Sequence, residues 1–318
     1  MAKRRIVIET PSRLHFGIIN PFTSKYRLYV SAGVAIDYPR TRVIVYPDEA
    51  LSIEGCRSEE VYSKIRPLIE EYDIKQGRVI VEESVPKHVG LGSTTQLLLS
   101  VVHGLLVAND KAPSSPREFT EIARKLGIGR ISGVGTYIYL YGGFIVDGGK
   151  KSVEDFPLLF LRLEFPEEWR FVVVVPPGRG MSELEERAVF TKGTDVPSEA
   201  IWEASFTLFH ELVPALIEKD FNAFSRALSR LQEVVGSMFS SFQGGVFASY
   251  SARAVSLLRK LGILGVGQSS WGPAVYGVIE SREKATEIAR IVKSEIPSTE
   301  VFVAKPRNRG ASIKVELY

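Results

Sequence analysis

The glycine-rich segment at residues 86–96 constrains the fold of this chain more than any other stretch. The β-branched run before it, residues 77–85, predicts a strand, and the apolar run after it, residues 97–107, predicts a helix. Gly90 and Gly92 allow the backbone to adopt positive φ between these two elements. The segment therefore predicts a tight strand-to-helix turn with exposed N–H groups.

A turn of this kind can bind phosphate, because the N–H groups at a helix N-terminus lack intrahelical acceptors and attract anions. We expect Ser93 or Thr94 to cap the helix. The pattern also fits a capped turn that binds no ligand, and the segment alone does not separate the two interpretations. If it binds phosphate, the contacting residues are Lys87, Gly90, Leu91, Gly92, Ser93, Thr94 and Thr95.

The composition is that of a globular protein, and the length suggests one large domain or two, with two favoured. A chain of 318 residues exceeds one ordinary core. The net charge of +3 is small and charges of both signs are interleaved, so we expect neither nucleic acid nor a membrane as a partner. The first residues lack a signal-peptide pattern, and no run approaches the roughly 18 apolar residues of a membrane span. With Cys56 as the single cysteine, we expect a cytoplasmic protein without disulfides or thiolate metal sites.

Strand and helix periodicities predict an α+β fold with an antiparallel sheet. The predicted strands are residues 5–10, 26–31, 34–37, 41–46, 77–85, 143–146, 158–163, 170–175, 274–279, 300–304 and 312–317. The predicted helices are residues 58–72, 97–107, 116–126, 198–219, 222–235, 248–261 and 282–294. Pro214 can kink the fourth of these helices. Ser182 and Glu185 form a further helix-start pattern, in which Glu185 stands at the position expected to follow a cap. The apolar residues 137–141 predict a buried helix or strand, and the polar residues 20–27 predict a flap or a hairpin loop.

Three further segments carry candidate site residues. In residues 11–17, Arg13 and His15 lie two positions apart, so both side chains point to one face if the backbone is extended. That arrangement suits an anion or a ring oxygen, and a hydrogen-bonded, half-buried His15 is the alternative. Residues 127–136 and 265–273 are both rich in glycine and predict turns beside strands.

Together these segments resemble the GHMP kinase superfamily, which includes galactokinase and the homoserine and mevalonate kinases. Residues 11–17 match its N-terminal Pro-x-Arg-x-x-x-Gly motif, residues 86–95 its phosphate loop, and residues 265–277 its C-terminal glycine-rich turn. The resemblance implies a domain like domain 2 of ribosomal protein S5 over residues 1–156 and a ferredoxin-like domain over residues 157–318. It also implies a site in the cleft between them.

One departure from the superfamily pattern concerns the catalytic base. Mevalonate-type kinases carry Ser-Gly-x-Asp in the second glycine-rich segment, and that Asp is taken as the base. Here Ser132 and Gly133 are followed in the same frame by Gly135, which cannot accept a proton. A general base typically contributes about 10²–10⁴-fold to a rate. The substitution therefore argues against ordinary small-molecule kinase chemistry.

Within the superfamily, the motifs are most similar to one archaeal branch, the β-ribofuranosylaminobenzene 5′-phosphate synthases of methanopterin-type cofactor biosynthesis. The resemblance implies that a ring carbon of 4-aminobenzoate attacks C1 of 5-phosphoribosyl 1-diphosphate, and that diphosphate and CO2 leave. Such a reaction needs donors and cations on the diphosphate rather than a base on a hydroxyl. It implies Mg²⁺ bound through the diphosphate, with no metal ligands predicted in the chain and no ATP expected.

These motifs give the candidate site. The expected catalytic residues are Arg13, His15 and Arg130, and the further substrate-binding residues are Ser132, Gly133, Gly135, Thr136, Gly267, Ser269 and Ser270. Arg179 and Arg309 are other cations beside glycine turns. Trp271 could stack on an aromatic substrate or simply pack. Small-molecule substrates are the expected partners, and a homodimer is a further possibility.

Two alternatives stay open at the level of sequence. The first is an ATP-dependent kinase of the same fold whose base lies elsewhere, for example at Asp37 or Asp147. The second is a ligand-binding homologue without catalytic activity.

Overall fold

The computed structural model describes residues 4–22 and 27–317, in two sheets covered by helices. The strands of the first sheet are β1 (Arg4–Ile18), β2 (Ser31–Tyr46), β3 (Leu51–Gly55), β4 (Gly77–Glu83), β5 (Phe144–Asp147), β6 (Leu159–Leu163) and β11 (Ser312–Leu317). The strands of the second sheet are β7 (Arg170–Val175), β8 (Gly265–Gln268), β9 (Val275–Ile279) and β10 (Glu300–Ala304).

The first sheet has the order β11-β1-β2-β4-β3, with β5 paired to β2 and β6 paired to β5. Within it, β3 and β4 are parallel and the other pairs are antiparallel. The second sheet is antiparallel in the order β10-β7-β9-β8. Counted along the chain, its strands lie in the order fourth, first, third, second, as a ferredoxin-like domain requires. Both observations agree with the predicted α+β class.

The helices lie between and over these sheets. They are α1 (Ser58–Glu71), α2 (Ser93–Ala108), α3 (Pro116–Lys125), α4 (Val134–Tyr141), α5 (Glu183–Lys192), α6 (Ser198–Phe206), α7 (Val213–Glu218), α8 (Phe221–Met238), α9 (Ser240–Gln243), α10 (Ser249–Lys260) and α11 (Arg282–Glu295). The apolar helix α2 packs against β1 and β2, and α8 packs against β8. Because α2 is apolar on nearly every face, it is buried in the hydrophobic core against the first sheet. This packing fixes the position of the helix to which the loop before it connects.

Several predicted strands differ from the observed ones. Residues 34–37 and 41–46 belong to the single strand β2, because the pairing with β1 skips residues 37–40 around Pro39. The prediction of a strand at residues 26–31 is wrong over residues 27–30. In that range, the backbone forms only an isolated β-bridge between Leu28 and Lys150. Tyr26 and part of the flap predicted at residues 20–27 lie outside the described residues.

Other corrections concern a turn, a strand and a long helix. Residues 265–268, predicted as part of a turn, form β8, and β3 was not predicted. The helix predicted at residues 198–219 consists of α6, a π-helical turn at Thr207–Leu212, and α7. Pro214 explains the π-helical turn. Proline has no N–H to donate to the carbonyl four residues earlier, and its ring would clash with that carbonyl in a regular α-helix.

The second half of the chain also contributes to the first sheet. Both β6 and β11 lie beyond residue 156 and hydrogen-bond into the first sheet, β11 directly beside β1. Residues 170–304 carry the whole second sheet. Across residues 4–22 and 27–317, no helix combines the length and apolar character needed to cross a bilayer.

Candidate active site

The glycine-rich segments meet at one cavity of about 480 Å³ between the two sheets. Its wall also includes α5 and the loop before it, which the sequence had not marked as part of the site. The predicted site residues that line the cavity are Arg13, His15, Lys87, Gly90, Leu91, Gly92, Ser93, Thr94, Thr95, Arg130, Ser132 and Ser270.

Five other predicted site residues lie behind the wall. Gly133, Gly135 and Thr136 are buried at the start of α4. Gly267 is buried in β8, where a Cβ would collide with the hydroxyl of Tyr276. Ser269 donates a hydrogen bond to the carbonyl oxygen of Gly90 (2.5 Å) and supports the loop from behind.

The turn before α2 presents uncapped N–H groups to the cavity. Gly92, with φ of 79°, occupies the N-cap position and supplies no side chain, so the predicted cap at Ser93 or Thr94 is wrong. The first N–H with an intrahelical acceptor is that of Gln96, which donates to the Gly92 carbonyl (3.2 Å). The N–H groups of residues 93–95 precede that bond and are available to an anion.

Loops of the second half of the chain hold this turn in place. The N–H of Gly180 donates to the carbonyl of His88 (2.7 Å), and the N–H of Ala274 donates to the carbonyl of Val89 (3.1 Å). Gly90 must lack a side chain, because a Cβ there would collide with the carbonyl oxygen of Ser269. The loop carbonyls are thereby bonded to the second half of the protein.

Arg13 links the first motif to the phosphate loop. Its Nη1 donates to the carbonyl oxygen of Gly90 (2.9 Å), and its aliphatic part packs on Gly92. This is the one side-chain hydrogen bond that Arg13 makes with the described residues, so its other donors can serve a ligand. Burial lowers the pKa of Arg13 to about 10, against the opposing charge of Glu186, so the guanidinium stays charged at neutral pH.

His15 is held by hydrogen bonds at both ring nitrogens. Nδ1 accepts from the N–H of Gly17 (3.1 Å), which places the proton of the neutral ring on Nε2, and Nε2 lies 3.1 Å from Ser132 Oγ. Burial, and then the charge of Arg13, lower the pKa of His15 well below its usual value. His15 is therefore a neutral, buried donor to Ser132, as the alternative interpretation of the motif described.

Asp147 anchors this network from behind the cavity. Its two oxygens accept hydrogen bonds from five donors, which are the Ser31 N–H (3.2 Å), the Ser31 hydroxyl (2.7 Å), the Ser132 hydroxyl (3.1 Å), the Gly133 N–H (2.7 Å) and the Gly149 N–H (3.1 Å). Burial raises the pKa of Asp147 to about 6, although these donors oppose the shift. Asp147 is committed to structure. Asp37, the other alternative base, accepts from the N–H of Lys305 (2.9 Å), and neither carboxylate lines the cavity.

The cations around the cavity differ in their partners. Lys87 pairs with Glu60 (3.0 Å), which also pairs with Arg57 (2.9 Å). Hydrogen bonds first from Arg57 and then from Lys87 lower the pKa of Glu60 to about 2. Arg130 is exposed and forms no ion pair with any residue in the described ranges. Arg179, which pairs with Glu185 (2.7 Å), and Arg309 are not part of the cavity wall.

Apolar and aromatic side chains form part of the cavity wall. They include Ile18, Met181, Val235, Phe239, Val246, Phe247 and Trp271. The rings of Trp271 and Phe239 meet edge to face, with centroids 5.1 Å apart, and Nε1 of Trp271 donates to Glu186 Oε1 (2.9 Å). Trp271 is thus both packed and part of the cavity wall. Glu186 is not among the residues predicted for the site. The nearest feature predicted from the sequence is the helix start at Ser182 and Glu185, which form the capping box of α5.

In residues 4–22 and 27–317, acidic side chains do not cluster into a metal site. Within the described part of the chain, no group of three or more His, Cys, Asp or Glu side chains could hold a metal ion. The carboxylates on the cavity wall are those of Glu60, Glu183 and Glu186. Each has a partner in the protein. Glu60 pairs with Arg57 and Lys87, and Glu183 pairs with Lys64 (2.5 Å). Glu186 accepts the hydrogen bond from Trp271. A metal here would have to bind mainly through substrate oxygens and water.

Comparison with known proteins places this site in a family context. The model of the GHMP kinases N terminal domain matches residues 59–143, and that of the GHMP kinases C terminal matches residues 212–298. The β-ribofuranosylphenol 5′-phosphate synthase of Methanothermobacter thermautotrophicus is 30% identical, over 96% of this chain and 98% of that protein. The protein of the same name from Archaeoglobus fulgidus is 28% identical, over 97% and 99%.

Solved structures show the same fold at low sequence identity. Homoserine kinase from Cytophaga hutchinsonii superposes with a TM-score of 0.71 at 17% identity, over 98% of this chain and 97% of that one. Mevalonate diphosphate decarboxylase from Enterococcus faecalis superposes with a TM-score of 0.69 at 16% identity, over 99% and 100%. At such identities the likeness concerns the fold alone.

Proposed function

This chain belongs to the GHMP kinase family, and we propose that it is a synthase that joins a para-substituted benzoate to 5-phosphoribosyl 1-diphosphate. In the proposed reaction, a ring carbon attacks C1 of the ribose, and diphosphate and CO2 leave. The family and the two-domain fold expected from the three motifs are confirmed. Two relatives that carry the synthase name match nearly the whole chain.

The observation that carries the proposal is the position of Gly135. It lies in α4 against Thr95, where a Cβ would be 3.1 Å from the Thr95 methyl group, and its carbonyl accepts from Gln96 Nε2 (2.9 Å). In mevalonate-type kinases this position carries the Asp that is taken as the base, and glycine cannot accept a proton. The phosphate loop beside it keeps its N–H groups. An anion-binding turn without its base suits a leaving diphosphate better than a phosphoryl transfer.

The residues of the cavity can stabilise the departing diphosphate. Residues 93–95, which carry the uncapped N–H groups, line the same cavity as the cations Arg13 and Lys87, and Arg13 is bonded to Gly90 of the loop. Preorganised donors and cations of this kind stabilise charge that develops in a transition state. The exposed Arg130 is positioned to pair with a substrate phosphate at the mouth. We assign the aromatic part of the cavity wall, beside Trp271, to the benzoate ring.

Mg²⁺ is part of this proposal, as a cation that arrives with the diphosphate and offsets its charge. The residues present fit such an ion, because Mg²⁺ keeps several waters and needs few protein ligands when phosphates bind it. The described residues contain no preassembled cluster that would hold it without substrate. Glu60, which pairs with Lys87 and lines the cavity, is a carboxylate that could bind one of its waters. ATP has no role in the proposed reaction.

Two aromatic acids fit the proposed class. The motifs resemble enzymes that use 4-aminobenzoate, whereas the names of the relatives contain a phenol, which corresponds to 4-hydroxybenzoate. The two acids differ only in the para substituent, and both are included in the proposal. A role in methanopterin-type cofactor synthesis, a cytoplasmic location and a homodimer complete it.

Release of labelled CO2 tests the function. Purified protein with Mg²⁺ and 5-phosphoribosyl 1-diphosphate should release CO2 and diphosphate from carboxyl-labelled 4-aminobenzoate or 4-hydroxybenzoate. No release from either acid would overturn the proposal. Formation of ADP from ATP with any of a panel of alcohols would instead establish the kinase alternative. Binding of 5-phosphoribosyl 1-diphosphate without turnover would establish a ligand-binding homologue.

A further inference from the structure

Glu186 differs from the other two carboxylates on the cavity wall. Glu60 pairs with Arg57 and Lys87, and Glu183 pairs with Lys64. Glu186 forms no ion pair within the described residues and accepts one hydrogen bond, at Oε1, from Trp271. Its second oxygen, Oε2, has no hydrogen-bond partner among those residues. Glu186 is therefore a positioned carboxylate with one oxygen free for a ligand.

The surroundings of Glu186 favour proton exchange. The side chain lines the cavity and accepts a hydrogen bond from Trp271, whose ring contacts that of Phe239. Burial raises its pKa, the Trp271 bond and the charge of Arg13 on β1 oppose that shift, and Glu183, one turn earlier on α5, adds to it. A carboxylate with a raised pKa is a stronger base than an exposed one and can also return the proton.

We propose that Glu186 accepts the para proton of the aromatic acid during the attack on ribose and then returns it to the product. The inference rests on the proposed function, for which it names a catalytic residue. With 4-hydroxybenzoate the proton comes from the hydroxyl group, and with 4-aminobenzoate it comes from the amino group.

Each step of this reaction balances. The ring carbon that bears the carboxylate forms a bond to C1 of the ribose, and the bond from C1 to the diphosphate oxygen breaks with its electron pair. The ring becomes electron-poor, and the para group loses its proton to Glu186, which leaves a neutral dienone or its imine. The bond between the ring and the carboxylate then breaks, its electron pair restores the aromatic ring, CO2 leaves, and Glu186 returns the proton to the para atom.

Other titratable groups near the cavity are less suited to this role. His15 uses Nε2 as a donor to Ser132 and Nδ1 as an acceptor from Gly17. Glu60 is a weak base, because Arg57 and Lys87 lower its pKa to about 2. Asp147 is shielded behind the wall with five donors on its oxygens. Glu186 alone among these combines cavity exposure with a free oxygen.

The test compares wild type with Glu186→Gln, which keeps an oxygen for Trp271 but cannot take a proton. We expect kcat for CO2 release at about pH 7 to fall roughly 10²–10⁴-fold. The Kd for 5-phosphoribosyl 1-diphosphate, measured by calorimetry, should stay within about threefold of wild type, because the substitution leaves Arg13, Lys87 and the N–H groups of the phosphate loop in place. Glu199→Gln removes an exposed carboxylate on α6 outside the cavity and is the matched control.

The pH dependence separates a proton carrier from a packing residue. A phenol ionises near pH 10, as the side chain of tyrosine does. The deficit of Glu186→Gln with 4-hydroxybenzoate should therefore shrink as pH rises toward that value, since the phenolate needs no base. With 4-aminobenzoate, whose amine does not lose a proton in this range, the deficit should persist.

The outcomes are distinguishable. Suppose that the wild type is active and that Glu186→Gln has a similar kcat, or that its loss of kcat is the same for both acids at every pH. Either result would overturn the role of Glu186 and leave the proposed function standing. Wild type without CO2 release overturns the proposed function, and the inference with it. If Glu186→Gln no longer bound 5-phosphoribosyl 1-diphosphate, the side chain would be needed for binding of that substrate. This result would also contradict the inference.

Discussion

Arg13 Nη1 donates to the carbonyl oxygen of Gly90 across 2.9 Å, between residues 77 positions apart in the chain. The bond brings a charged guanidinium beside the uncapped N-terminus of α2. It also engages a carbonyl of the phosphate loop, the group that an anion would not bind. One side chain thus supports the loop and adds a cation to the site.

Replacing Arg13 by Lys should weaken substrate binding without unfolding the protein. A single ammonium cannot both bond Gly90 and keep further donors directed at phosphate, as the guanidinium fork does. Loss of one charge-assisted hydrogen bond costs about 1.5–3 kcal/mol, which corresponds to roughly 10–100-fold in kcat/KM. Steady-state kinetics with 5-phosphoribosyl 1-diphosphate measure the effect. Wild-type kcat/KM in Arg13→Lys would contradict a role for the fork.

Gly92→Ala should lose both stability and affinity. A non-glycine residue in the left-handed region costs about 1–2 kcal/mol, and the new Cβ would lie 2.8 Å from Arg13 Cγ. We expect the Kd for 5-phosphoribosyl 1-diphosphate to rise at least about tenfold as Arg13 moves, a change of about 1.4 kcal/mol.

Gly244→Ala is the matched control for that variant. Gly244 has φ of 78°, and nothing lies within 4 Å of an added Cβ. It should show the same backbone penalty in chemical denaturation and an unchanged Kd. Equal Kd values for the two variants would mean that the contact with Arg13 does not matter for binding.

Asp147→Asn should be strongly destabilising. The two oxygens of Asp147 share five hydrogen bonds from Ser31, Ser132, Gly133 and Gly149. In Asn, one oxygen is replaced by an NH2 group, which donates and does not accept. The hydrogen bonds to that oxygen would therefore be lost. Urea denaturation should show a loss of about 3 kcal/mol. Asp37→Asn can still accept the N–H of Lys305 and should lose less than about 1 kcal/mol. Similar losses in both variants would argue against Asp147 as an anchor.

Glu60→Gln should change the acid sensitivity of the protein. Arg57 and Lys87 lower the pKa of Glu60 to about 2 in the folded state, so its stabilisation is present above its unfolded pKa. The stability difference from wild type should be full at about pH 7 and should shrink as pH falls from about 4.5 toward 2. Urea denaturation at a series of pH values measures it. A difference that stays constant down to pH 2 would show that the ion pairs do not cause it.

Local chemistry made part of this molecule predictable from its sequence. Ser115 accepts from the N–H of Glu118 at the start of α3, and Ser182 and Glu185 form the expected capping box of α5. Arg13 and His15 both line the cavity, as two residues on one face of a strand should. In each case the signal lies within a few positions of the chain.

Long-range contacts were beyond sequence patterns. Glu186 and Trp271 are 85 positions apart, and Ser31 and Asp147 are 116 apart, so no local periodicity joins them. The cap of α2 was misassigned for a different reason. Ser93 has the preferred side chain, but Gly92 adopts the left-handed conformation at the cap position and shifts Ser93 into the helix.

Three hydrogen bonds hold the phosphate loop to the second half of the chain, from the Gly180 N–H, the Ala274 N–H and the Ser269 hydroxyl. A ligand therefore meets a loop whose ordering entropy was already lost during folding. This matters for inhibitor design. An inhibitor that carries a diphosphate mimic can therefore be fitted to the N–H groups of this loop in the conformation that the structure shows.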